Sequence, residues 1–146
     1  MDHQLIARVL LAIFCGLQGI ATAAIDLGRT HARHPCWLGH ARFHVTWQTA
    51  NVLILSVFEI ALTSRNGPLM NFRFNTAAAL AGAPILGFFL ALFARRLYGG
   101  TLSDPVGMPS WIVRVRGKPF HIDLNVVAEI LGRASLTAIV ELYRTS

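Results

Sequence analysis

Asn75-Thr76-Ala77-Ala78-Ala79-Leu80-Ala81-Gly82-Ala83-Pro84-Ile85-Leu86-Gly87-Phe88-Phe89-Leu90-Ala91-Leu92-Phe93-Ala94 runs for twenty residues without a charge and then meets Arg95-Arg96. About 20 apolar residues are what a helix needs to cross the hydrocarbon of a bilayer. Ala79, Ala83 and Gly87 form a ridge of small residues at spacing four. Pro84 is tolerable there, because neighbouring groups in a bundle can satisfy the carbonyl it frees. Working outward, Ser64-Arg65-Asn66-Gly67-Pro68 reads as a turn. A second apolar block precedes it, a first lies near the N-terminus, and a more polar fourth closes the chain. Helices are expected over about 5–25, 40–63, 75–98 and 123–142. The expected fold is all-α: one domain, 1–146, an integral membrane bundle of four transmembrane helices.

Composition agrees. Of 146 residues, 54% are hydrophobic and 14% charged, with a mean hydropathy of +0.53. Soluble domains carry about 25% charged residues. The net charge of +6 comes almost wholly from arginine, Lys118 being the one lysine. These arginines flank apolar blocks, where they suit headgroups and topology more than nucleic acid. Cys15 and Cys36 make neither a disulfide framework nor a zinc quartet. Arg8, the apolar run after it and Ala21-Thr22-Ala23 also fit a secretory signal; the segment is read here as a retained helix. Within it, Ala12 with Gly16, and Gly19 with Ala23, are small pairs that let helices approach closely in lipid.

The loop after helix 1 is dense in His and Arg. The long one before helix 4 is punctuated by Asp104-Pro105, Met108-Pro109 and Lys118-Pro119. Trp111-Ile112-Val113-Arg114-Val115-Arg116 alternates well enough for a short strand or an extended interfacial segment. Four spans put loops 1 and 3 on one side. That side holds Arg29, Arg33, Arg42, Arg95, Arg96, Arg114, Arg116 and Lys118, against Arg8, Arg65, Arg73 and Arg144. The positive-inside rule then places loops 1 and 3 in the cytoplasm of a multi-pass protein, in a bacterial inner membrane.

His40 and His44 are one turn apart on helix 2, and Gln48, Asn51 and Glu59 continue the stripe. Helix 4 carries Asn125, Glu129, Arg133 and Thr137, with Glu129 and Arg133 spaced to pair. Polar groups avoid lipid, so the two stripes are expected to face each other across one cavity. In the acid–base reading His44, with His40, exchanges protons with Glu129 or Glu59. Phe43, Trp47, Gln48, Asn51, Asn125 and Arg133 then line the substrate pocket. The substrate would be a lipophilic terpenoid or sterol-like molecule, turned over by an isomerase or cyclase without a cofactor. The alternative is a metal site drawn from His31, His34, His40, His44 and His121, with Asp26 and Asp123 behind the imidazoles. A third reading is a non-enzymatic subunit or anchor of a larger membrane complex or homo-oligomer, in contact with membrane lipid. No nucleotide loop, haem motif or nucleophile elbow occurs, and no nucleic-acid partner is expected.

Arg29-Thr30-His31, Pro35-Cys36-Trp37 and His40-Ala41-Arg42-Phe43-His44 together resemble a family of small bacterial and fungal membrane proteins. Those share roughly T-H-x-x-x-P-x-W-x-x-H-A-R-F-H and have no assigned function. The resemblance implies that loop 1 and early helix 2 act as a unit, and it implies no activity. In architecture alone, the chain is similar to sterol and terpenoid isomerases of the emopamil-binding type. Membrane di-iron desaturases and hydroxylases resemble it in having His-x-x-x-His, but their His-His doublets are missing here.

Overall fold

The computed structural model describes residues 2–104 and 108–145, so Pro105 lies outside the described residues. Its order is α1 (His3–Asp26), α2 (Gly39–Ser64), α3 (Met70–Ala94, followed by a 3-10 turn, Arg95–Leu97), β1 (Trp111–Val115), β2 (Lys118–Ile122) and α4 (Leu124–Arg144). Asp2 starts α1 by accepting from the amides of Gln4 and Leu5, and Asp123 starts α4 by accepting from those of Asn125 and Val126. Both aspartates thus satisfy amides that the first turn leaves free. Asp123, expected behind a metal ligand, is a helix cap. α3 begins five residues ahead of its expected start, directly after the Gly67-Pro68 turn, and runs through Pro84.

Three helices, α1, α2 and α3 with its terminal turn, are long and apolar enough to cross a membrane. α4 falls short of them, because Asn125, Glu129, Arg133 and Glu141 dilute its apolar residues. The chain is also not purely helical. β1 and β2 form an antiparallel hairpin with Val115 opposite Lys118 and Trp111 opposite Ile122. Its two-residue loop is Arg116-Gly117, both at positive φ (50° and 79°). That is the turn geometry whose twist matches paired strands. The alternation over 111–116 pointed to the first strand. The second was hidden by Pro119, which sits opposite Arg114 in a sheet of two edge strands and needs no amide partner there.

Neighbouring helices run antiparallel. α1 packs on α2 and α4, α3 packs on the same two, and α1 also touches α3. α2 and α4 therefore take opposite corners. Contact between α1 and α2 is close: a Cβ on Gly19 would lie 2.6 Å from the Ser56 hydroxyl. This is what the small-residue spacing on α1 implied. Across the diagonal, the Gln18 side chain donates to the Ala81 carbonyl at 3.2 Å.

The core is concentrated at one end, where Ala7, Leu11, Cys15, Phe74, Ala77, Ala81, Ile139 and Tyr143 cluster. Phe74 and Tyr143 stack with ring centroids 3.7 Å apart, and the Tyr143 hydroxyl donates to Asn71 at 2.6 Å. Tyr143→Phe keeps the stack and loses the hydrogen bond. It should cost about 1 kcal/mol, read as a modest fall in melting temperature; an unchanged value would mean that the bond contributes nothing. Arg8 is buried at the same end. It donates to the carbonyls of Thr63 and Arg65 and to the side chains of Asn66 and Met70. Outward surfaces of the helices are apolar: Leu5, Val9, Ile13, Leu17 and Ile20 on α1, and Ile54, Val57 and Phe58 on α2, are exposed. Continuous apolar surfaces of this kind suit hydrocarbon rather than water.

Candidate functional site

Loop 1, the end of α3, the start of loop 3 and the first turn of α4 enclose a cavity of about 550 Å³. Loops 1 and 3 therefore meet at one end of the bundle, opposite the packed core. α1 stops at Asp26, which accepts a hydrogen bond from Thr49, while α2 runs ten residues further in its N-terminal direction, to Gly39, and loop 1 between them supplies one side of the cavity.

His31, His34 and Asn125 line this cavity. The first two were expected as metal ligands and the third as a substrate contact. Nδ1 of His31 sits 3.0 Å from the Thr30 hydroxyl, and its ring meets Trp37 edge-on at 5.4 Å. The carboxylate of Asp26, at the end of α1, interacts electrostatically with this imidazole. His34 is buried; its Nδ1 accepts from the Cys36 amide. Arg42, expected to serve headgroups, instead reaches back from α2 to the carbonyls of His34 and Pro35 and pins the loop. Loop 1 and early α2 thus form one structural unit.

The other wall was missed in the sequence. Phe88, Leu92, Arg95 and Tyr98 come from the last turns of α3 and the residues just after them. Their spacing of three to four was visible, but the stretch reads equally well as a lipid-facing helix end. Arg95 donates to the Leu92 carbonyl, and the Tyr98 hydroxyl to that of Ala91.

The remaining expected residues lie elsewhere. His40 and His44 are exposed on α2, with their Nε2 atoms 3.1 Å apart. Phe43, Trp47, Gln48 and Asn51 are exposed on the same helix. Glu59 is the exception on α2: it is 2% exposed and packs against Cys15 of α1, and its Oε2 has no hydrogen-bond partner among the described residues. The buried face of α2 follows Thr49, Ser56, Glu59 and Thr63, so the stripe from His40 drifts from the surface into the helix interface. Glu129 is half-buried and Arg133 exposed on α4. They do not pair with each other; on α4 it is Arg144 and Glu141 that form an ion pair. With α2 and α4 at opposite corners, their stripes share no cavity. Neither cavity described here is lined by His40, His44, Glu59 or Glu129.

The five histidines expected as metal ligands fall into separate groups: His31 and His34 at the cavity, His40 with His44 on α2, and His121 on β2 beside Ser110. Among the described residues no three His, Cys, Asp or Glu side chains converge as metal ligands. The fold and cavity define a class, a small helical protein with membrane-compatible spans and a mixed polar and apolar pocket at one end. No family model, curated protein or solved structure matches the chain.

Proposed function

We propose that this is a multi-pass membrane protein that binds a lipophilic small molecule at its loop 1–loop 3 end and moves a proton on it. The observation carrying this is the cavity of about 550 Å³, within the usual range for small-molecule sites. Trp37, Phe88 and Leu92 offer it apolar surface, while His31, Asn125 and Arg95 offer polar groups. A terpenoid- or sterol-like molecule with one oxygen has that distribution of surface. Asn125 and Arg95 supply donors for the oxygen, and His31 carries the proton. A single imidazole can take a proton from a carbon beside a carbonyl and return it to a carbon further along the conjugated system. No co-reactant is consumed in such an isomerisation. The acid–base role expected of His44 thus passes to His31.

In this reading α1, α2 and α3 cross the bilayer. α4 crosses with them, since it lies antiparallel along α3 from Tyr143 at Phe74 to Gly132 at Ile85. The cationic loop 1–loop 3 end faces the cytoplasm, by the positive-inside rule, of a bacterial inner membrane. The chain belongs with small membrane proteins sharing the T-H…H-A-R-F-H pattern.

The test is binding and turnover of sterol and terpenoid enones by purified protein in nanodiscs. His31→Ala should reduce turnover about 100-fold or more, as loss of a general acid–base does, with binding largely kept. His44→Ala should be near wild type. Full activity in His31→Ala, or loss confined to His44→Ala, would sink this assignment. A second reading, a non-enzymatic subunit of a larger complex, is favoured by Gln48 and Asn51, whose carboxamides face outward from α2. A stable complex that forms normally with His31→Ala and is lost with Asn51→Leu would put it first.

A further inference from the structure

α4 presents a conflict between its placement and its chemistry. Gly132 lies against Ile85, close to the middle of α3, so the adjacent Arg133 sits near mid-depth of any bilayer that α3 crosses. Arg133 is exposed, Glu129 one turn away is half-buried, and neither has an ion-pair partner among the described residues. Charges at that depth face protein or water-filled space, not acyl chains. A lipid headgroup does not solve the problem, because it lies about 15 Å away, at half the hydrocarbon thickness. The protein itself offers no cover. α3 carries no charge between Asn75 and Ala94, and α2 is at the opposite corner.

Beside the stripe lies a groove of about 1010 Å³ between α3 and α4. Its α4 wall carries Arg133, Thr137, Glu141 and Arg144, and its α3 wall has Asn75 near one end and is otherwise apolar, with the small residues Ala78, Ala79 and Gly82. Small side chains let a further helix approach closely.

We infer that this groove is the seam of a homodimer, in which α4 of a second copy packs beside α4 of the first. The argument for a second copy is charge complementarity. A twofold axis along the bilayer normal sets two α4 helices side by side and in the same direction. Arg133 lines the groove and Glu129 lies one turn from it on α4, outside the groove lining; in the dimer Glu129 of each copy lies one turn from Arg133 of the other, and the contact forms two reciprocal ion pairs. The stripe is its own complement, which a headgroup or an uncharged helix is not. This rests on the bilayer-spanning reading above and is independent of the substrate assignment.

The test is disulfide cross-linking in native membranes, in a Cys36→Ser background, with Thr137→Cys on the seam. Leu17→Cys, on the exposed face of α1, is the control. Thr137→Cys should give a covalent species of twice the 16.0 kDa protomer on oxidation, and Leu17→Cys should not. Adding Glu129→Arg or Arg133→Glu alone should lower the cross-link at least tenfold, and the two together should restore it. Native mass spectrometry of protein with unaltered charges should show the dimer independently. A monomer in both assays, equal cross-linking at Leu17→Cys, or a double reversal no better than the singles would overturn the inference. So would protein released from membranes by alkaline washing, which would remove the bilayer-spanning reading as well. A dimer that binds no enone would leave the seam standing and sink only the substrate reading.

Discussion

Gly19→Leu will cost the protein about 3 kcal/mol or more, the upper range for overpacking a close contact. A Cβ at Gly19 would come within 2.6 Å of the Ser56 hydroxyl and 3.0 Å of the Ser56 Cβ. The second of these atoms is fixed to the α2 backbone, so no rotamer change relieves it, and α1 and α2 must separate. That separation loosens the packing of Glu59 against Cys15 and the hydrogen bond of Thr49 to Asp26. Gly19→Ala should show a smaller effect of the same sign, about 1–2 kcal/mol. Ala21→Leu, on the exposed face of α1, should be nearly silent. Thermal unfolding in detergent measures all three. Equal melting temperatures for Gly19→Leu and Ala21→Leu would mean that α1 and α2 are not in close contact.

Arg8→Ala should be comparably damaging, by about 3 kcal/mol, the upper value for hydrogen bonds made by a charged group. The guanidinium joins the first turns of α1 to the end of α2 through the carbonyls of Thr63 and Arg65. These carbonyls belong to the last turn of α2 and its cap, where backbone acceptors lack helical partners and the helix dipole favours a cation. Arg8 also holds Asn66, whose carbonyl accepts from Arg73, so its loss reaches the α2–α3 turn. Arg8→Lys should recover only part of the stability, because a single ammonium cannot reproduce the planar fork that serves several acceptors. Arg65→Ala, at an exposed side chain, is the comparison. A loss for Arg8→Ala no larger than for Arg65→Ala would show that the network carries no weight.

Much of the local structure was legible. The apolar blocks and their breakers at Gly67-Pro68 located four helices, because a helix end needs only short-range signals. The small residues on α1 announced a close contact, although not with which helix. Single residues misled where one identity serves several purposes. Arg8 and Arg42 flank apolar blocks as headgroup residues do, yet both turn inward to backbone carbonyls. His40 and His44 have ligand spacing and pair with each other. Pro119 looked like a breaker and sits in a strand.

The sequence by itself determined which segments are helical and that three of them are long and apolar enough to cross a membrane, since periodicity and hydropathy are properties of a residue and its near neighbours; the fourth, expected to cross as well, falls short. That Arg42 of α2 holds the carbonyls of His34 and Pro35 in loop 1 is a local contact, spanning eight positions or fewer. Only the tertiary structure decided which polar residues meet. Pairing of stripes depends on which corner each helix takes, and that follows from packing contacts such as Gly19 with Ser56, Gln18 with Ala81 and Phe74 with Tyr143. Those contacts put α2 and α4 apart, gathered His31, His34 and Asn125 around one cavity, and left Arg133 of α4 exposed.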